Sequence, residues 1–232
     1  MGSLYSSLMR IDILDAEILG VIALTLRMTL LSTFISTILG VPLGLWLDRA
    51  NFFGKGIVVI INRTLMASPP VVVGLVVFMI LMRNGPLGFM GLLFTFEAMV
   101  IAQVLLLTPI ICGIVYTASQ RNAQHIRAFA KTMGATKWQM EILVIKELSN
   151  DIFFAIIAGF GRAMSEVGAI MIVGGNIRHH TRTMTTSISL LRNRGELEQA
   201  ILLGALLMLI AFVVQMAADF LRKKERRTDE NF

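Results

Sequence analysis

Apolar residues gather along this chain into five long runs, 18–47, 57–82, 92–118, 152–174 and 200–221, separated by short polar stretches. Each run supplies the roughly 20 residues that a helix needs to cross the hydrocarbon of a bilayer, so the pattern predicts five transmembrane helices and no strand. An odd number of crossings places the two termini on opposite faces of the membrane. The first run, 30 residues long, would extend about 45 Å as one helix, more than the hydrocarbon requires, and is expected to tilt or project.

The polar residues inside these runs are the informative ones. In the first run, Thr25, Thr29, Ser32 and Ser36 recur at helical spacing with Thr33 and Thr37 beside them, a stripe that reads either as glue between packed helices or as the lining of a pathway. Arg27 lies near the outer end, where its long side chain can reach the interface. The second run is interrupted by Ser68-Pro69-Pro70 before VVVG. Proline lacks an amide hydrogen and disfavours helix in the residue before it, so two half-helices are expected to meet there. Ser68 is placed to cap the second half, leaving the amides of Val71 to Val73 as a positive end suited to an anion; a plain proline kink is the other reading. The fourth run contains GFGRAMSEVGAIMIVGG, with Arg162 and Glu166 in its middle. Each charge at the centre of a membrane helix costs about 2.5–3.5 kcal/mol, so both should face protein or water. Four residues apart on one helix they share a face and can pair, with Gly161, Ser165 and Gly168 forming a small-residue surface alongside. The pair reads as a device that fixes helix register or as a wall of the pathway that touches substrate.

Between the third and fourth runs lies RNAQHIRAFAKTMGATKWQMEILVIKELSND. It is too polar to cross, and it reads as two short amphipathic helices broken at Gly134, with Ile126, Phe129, Ala130 and Met133 along one side. A partly apolar helical loop outside the bilayer needs a cover, either a partner or the protein's own membrane face. His125 reads as a surface residue.

Composition agrees with the run pattern. The chain of 232 residues is 56% hydrophobic and 16% charged, against about 25% charged in soluble domains. Mean hydropathy is +0.75. The lone cysteine, Cys112, excludes a disulfide framework and a paired-cysteine metal site, and the fifteen methionines read as packing or lipid-facing residues. Asp12, Asp15 and Glu17 stand where a signal peptide would be basic, so no cleavable signal is expected. With the amino terminus outside, twelve Lys and Arg fall inside (Arg49, Lys55, Arg121, Arg127, Lys131, Lys137, Lys146, Arg222, Lys223, Lys224, Arg226, Arg227) against six outside (Arg10, Arg83, Arg178, Arg182, Arg192, Arg194). The positive-inside rule favours that orientation, and the basic tail reads as a solvated stop signal. The outside stretch 175–199, with Arg178, His179, His180, Arg182, Arg192 and Arg194, reads as a surface that steers an anion or docks an acidic protein, or as a solvated loop balanced by Glu196 and Glu198. No phosphate loop of the GxxxxGK[ST] type is present, and neither HExxH nor GxSxG, which leaves an intramembrane enzyme without support. The inverted halves of a secondary carrier are not visible.

The loop around Ala128-Phe129-Ala130-Lys131-Thr132-Met133-Gly134-Ala135 resembles the cytoplasmic coupling loop of ABC importer permeases, with Ala128 in place of that loop's glutamate and Lys146-Glu147 in place of its Leu-Pro. RNGPLGFMGLLFTFEAMVIAQ, the SPPVVVG break and GFGRAMSEVGAIMIVGGNIRHHTRTMTTSI are similar to the tungstate-type branch of the molybdate, tungstate and sulfate permeases, and the similarity covers roughly residues 20–220. The resemblance implies an all-α membrane protein of type I importer architecture, one permease domain over 1–232 with its coupling loop at about 119–151. It implies a homodimer in the cytoplasmic membrane of a prokaryote, two ATP-binding subunits and an extracytoplasmic oxyanion-binding protein. ATP and Mg would sit on the partner subunit, with no cofactor on this chain and no nucleic acid involved. Tungstate is the expected cargo, molybdate or sulfate the alternatives, and an autonomous channel or secondary carrier the rival class. Ser68, Pro69, Pro70, Val71, Arg162, Ser165 and Glu166 are the expected pathway residues, and Phe129, Ala130, Met133, Gly134 and Ala135 the expected coupling residues.

Overall fold

The computed structural model describes residues 16–229, with side chains over 18–220. The placement of the amino-terminal segment outside, and the side chains of the basic tail from Arg222, fall outside the described residues. Among those described, all regular structure is helical: α1 (Ala16–Arg49), α2 (Lys55–Met66), α3 (Pro70–Leu81), a 3-10 turn (Gly88–Met90), α4 (Phe96–Thr132), α5 (Lys137–Glu147), α6 (Ser149–Met164), α7 (Gly168–Gly174), α8 (Met184–Asn193) and α9 (Leu197–Asp229).

Three single helices, α1, α4 and α9, are long and apolar enough to cross a membrane. The pairs α2 with α3 and α6 with α7 reach that length only together, bent by 102° and 59°; counting each pair as one crossing gives five. The position of each helix follows from what its apolar face meets. Within its most apolar stretch α4 is 67% buried and α9 only 6%, so α4 is the axis of the fold and α9 its periphery. Met28 of α1, Val77 of α3, Met99 and Ala102 of α4 and Ile170 of α7 close the main core.

α1 lies along α4 at close range. A Cβ added to Gly44 would sit 2.8 Å from the Cys112 carbonyl oxygen, and one added to Gly40 would sit 3.0 Å from the Ile111 Cβ. Glycines four apart let two backbones approach, and in lipid such packing replaces the hydrophobic drive that water would give. The hydroxyl stripe lies in this seam. Thr25, Thr29, Ser32, Thr33 and Ser36 are buried, and Ser32 Oγ donates to Gln103 Oε1 of α4 at 2.6 Å. Its position agrees with packing glue.

Two expectations about local structure change. The predicted pair of short helices before and after Gly134 is instead the end of the 37-residue α4 followed by α5, because nothing between Tyr116 and Thr132 interrupts helical hydrogen bonding. The break at Gly134 stands, with φ at +75°. The stretch 175–199, expected as an outside loop, is not a loop throughout. Its centre is α8, opened by a reciprocal Thr183–Thr186 capping box and buried at Met184, Thr185 and Thr186.

Candidate functional site

The two broken spans meet. α3 begins at Pro70 and α7 at Gly168, and they touch at their starts: a Cβ on Gly168 would lie 2.7 Å from Val71 Cγ2, and one on Gly74 would lie 2.6 Å from the Ala169 Cα. The structure therefore brings Val71 beside Gly168 and Glu166. Ser68 does not act as a cap. Its Oγ turns back to donate to the Leu65 carbonyl at 2.8 Å, and Pro69 holds the cap position with no side-chain bond. Nor are three amides free, since Val72 and Val73 both donate to the Pro69 carbonyl, at 3.0 and 3.3 Å. Only the Val71 amide remains of the anion-binding end expected there.

The fourth span is broken between Met164 and Gly168, so Arg162 and Glu166 do not sit on one continuous helix. Arg162 lies in the last turn of α6, Glu166 stands in the break, and their ion pair at 3.0 Å joins the two. The expected pairing holds while its geometry differs. Glu166 is 3% exposed and Arg162 36%. The other carboxylate oxygen accepts the Ala169 amide at 3.1 Å, satisfying one of the open donors at the start of α7. Two carbonyls at the break are tied in a similar way. Gln103 Nε2 donates to the Ala163 carbonyl at 3.0 Å, and Thr185 Oγ1 of α8 donates to the Glu166 carbonyl at 2.8 Å. Gln103, buried at 1% exposure, thus joins α1 through Ser32 to the end of α6. A lone glutamine in the third apolar run was the signal that could have identified it. Ser165 is exposed, its Oγ donating to the Arg162 carbonyl. Gly161 faces Gln215 of α9, so the expected small-residue face splits between two neighbours.

At the other end of the molecule, Phe129 is 64%, Met133 74% and Trp138 76% exposed, an apolar group around the Gly134 turn. Ala130, expected beside them, is buried; it lies on the inward side of α4, and its carbonyl accepts the Ala135 amide at 3.0 Å. α5 is opened by a Thr136–Gln139 capping box, and Val144 and Leu148 fasten its end to Ala118 and Ala123 of α4. His125, Ile126, Phe129, Leu143 and Glu147 line a shallow cleft on this surface. Among the described residues no group of three His, Cys, Asp or Glu is placed to hold a metal.

Broken helices clamped by buried polar contacts, three to five apolar spans and an exposed apolar turn describe a polytopic membrane protein. Residues 40–227 match the family described as binding-protein-dependent transport system inner membrane component, and the chain belongs to that family. The chain is 43% identical over 200 residues to the tungstate uptake system permease protein TupB of Peptoclostridium acidaminophilum, covering 86% of this chain and 88% of that one. The TupB of Campylobacter jejuni is 35% identical over 175 residues, covering 75% and 71%. The molybdenum transport system permease protein ModB of Azotobacter vinelandii is 30% identical over 207 residues, covering 86% and 92%. Family membership makes this a multi-pass inner-membrane transport component, not an enzyme, that works with ATP-binding and substrate-binding partners.

Proposed function

We propose that this chain is the membrane permease of an ATP-driven importer whose cargo is tungstate. The observation that carries the cargo is the 43% identity to a tungstate permease across nearly all of both chains. Molybdate is the second reading, favoured by the 30% identity to a molybdenum permease. Two copies form the pathway, with the weakly buried α9 among the surfaces available to the second copy or to lipid. Two ATP-binding subunits dock on the cytoplasmic side and carry ATP and Mg, and an extracytoplasmic protein delivers the oxyanion. The amino terminus lies outside and the carboxyl terminus in the cytoplasm.

Cargo passes the junction of the two broken spans. There the Val71 amide and the exposed edge of Arg162 offer donors to a dianion, with Ser165 exposed nearby and Glu166 holding the guanidinium in place. Pro69 and Pro70 set the bend that opens this junction, and Ser68 belongs to it through its position in the break. Phe129, Met133, Gly134 and Ala135 form the docking turn, and Trp138 extends its apolar surface.

The test is reconstitution of permease, ATPase and binding protein into liposomes, with internal tungsten and molybdenum measured by mass spectrometry. Accumulation should require ATP and all three components, and tungstate should suppress molybdate uptake when both are present. Uptake without the ATPase would establish the carrier or channel reading instead. In the same vesicles, cysteines at His180 and Lys137 in a Cys112→Ala background should label from opposite sides. Labelling of both from one side would overturn the orientation.

A further inference from the structure

In sequence Arg127 is one more charge of a polar loop, yet its guanidinium spans two carboxylates from distant parts of the chain. Nη1 lies 2.7 Å from Asp48 Oδ2 at the end of α1. Nε and Nη2 grip Glu141 Oε1 and Oε2 on α5 at 3.2 and 3.1 Å. Asp48, whose side chain is 8% exposed, also accepts Ser119 Oγ at 2.8 Å and Gln120 Nε2 at 2.5 Å. Arg49 adds a looser contact to Glu141 at 3.5 Å. A two-pronged guanidinium–carboxylate contact fixes angle as well as distance, which a lysine cannot do. Glu141 lies one helical turn beyond Trp138, on the same short helix as the exposed docking group.

We infer that Arg127 is a positioning residue for coupling: it ties the docking helix α5 to the inner end of α1, so that a shift of α5 is passed to α1. This rests on the proposal that the Gly134 turn docks the ATP-binding subunit. The connection continues by contacts already described. α1 is held to α4 at Gly40 and Gly44, and its Ser32 bonds Gln103, which holds the Ala163 carbonyl at the break in the fourth span. A displacement at the cytoplasmic end of α1 therefore acts on the junction of the broken spans through packed backbone and two hydrogen bonds, with no mobile loop between.

The experiment compares wild type, Arg127→Gln, Arg127→Lys and Glu141→Ala, each assembled with its ATPase in proteoliposomes. Hydrolysis is measured with and without tungstate-loaded binding protein, and tungsten import is measured per ATP consumed. Glu141→Ala leaves the Asp48–Arg127 pair in place and cuts only the link to α5, so it keeps the test open if Arg127→Gln fails to fold. The expected result is continued hydrolysis whose stimulation by loaded binding protein falls at least about fivefold in Arg127→Gln and Glu141→Ala, the scale of an ordinary coupling free energy. Arg127→Lys, which restores charge but not the fork, should recover part of it. Stimulation and import per assembled complex equal to wild type would overturn the inference, as would losses that merely follow protein level and melting temperature. A cysteine at Trp138 cross-linked to the ATPase separates the two ideas. A cross-link with unimpaired coupling in the variants removes the Arg127 link alone, whereas no cross-link in the unsubstituted background removes the docking proposal and this inference with it.

Discussion

Removing Arg162 is the most direct probe of the broken fourth span. The substitution Arg162→Ala takes away a guanidinium 3.0 Å from a carboxylate that is only 3% exposed. Breaking a buried pair from one side costs about 3–5 kcal/mol, because the remaining charge stays out of water with no compensation. Arg162 is itself 36% exposed and partly screened by solvent, which places the expected loss at the lower end, about 3 kcal/mol. At about 2–4 °C per kcal/mol for a chain of this size, the apparent melting temperature should fall by roughly 6–12 °C. Glu166→Gln alone should cost about 1 kcal/mol, since the amide oxygen still accepts the Ala169 amide and Arg162 can turn to water. The double variant Arg162→Ala with Glu166→Gln should then be more stable than Arg162→Ala, because the stranded charge is gone while the cap on α7 remains. The assay is thermal unfolding of the purified permease followed by fluorescence-detected size exclusion, with all four proteins at one heating rate. If Arg162→Ala melts with wild type, or the second substitution only adds to the loss, the carboxylate is not buried against the guanidinium as described. If the double variant is stable in the assembled importer but imports no tungstate, the guanidinium acts on cargo and not only on the fold.

Substitutions at four other positions have outcomes as definite. Gly44→Val should overpack the α1–α4 seam and cost about 1–3 kcal/mol in the same unfolding assay, whereas Gly56→Ala, with nothing within 4 Å of the added Cβ, should be neutral or slightly stabilising. Gln103→Leu leaves Ser32 and the Ala163 carbonyl without their buried partner and should cost about 1–3 kcal/mol; an unchanged melting temperature would mean that the glutamine is not the clamp. Gly134 has φ at +75° with open space around it, so Gly134→Val meets only backbone strain of about 1–2 kcal/mol. Asparagine tolerates that conformation. Tungsten uptake at normal membrane level should therefore be lost in Gly134→Val and largely kept in Gly134→Asn, and full uptake in both would show that the turn is not needed for coupling.

The five apolar runs were legible because a membrane helix writes itself in length and composition, and the bend at Pro69-Pro70 because proline removes a hydrogen bond wherever it stands. The second break was not. Ser165-Glu166-Val167 contains no residue that forbids helix, and what ends α6 there is the buried carboxylate satisfying the Ala169 amide of the next helix. Only a tertiary setting makes that choice better than one more helical turn. The glycines of GVPLG at 40–44 and the polar Gln103 in an apolar run were signals that the run pattern passed over, and only the packed structure gives them their roles. The Asp48–Arg127–Glu141 cluster lies beyond any local pattern, since its members come from three elements and each reads singly as a solvated charge.

The distribution of these contacts bears on which helices can change partners. In lipid, separating two apolar helix faces carries no hydrophobic penalty, because the acyl chains that replace a neighbour are as apolar as the side chain lost. A resting arrangement must then be set by close backbone packing and by polar contacts that lipid cannot supply. α1 and α4 have both, with glycines in the middle of their seam, Ser32–Gln103 on one side and Asp48–Arg127 at the carboxyl end of α1. α9, whose most apolar stretch is 6% buried, has little protein packed against that stretch, and an exchange of lipid for protein along it is close to neutral in free energy. Motion in the working importer should therefore carry α1 and α4 as one unit, with the breaks at 67–69 and 165–167 absorbing the change in angle.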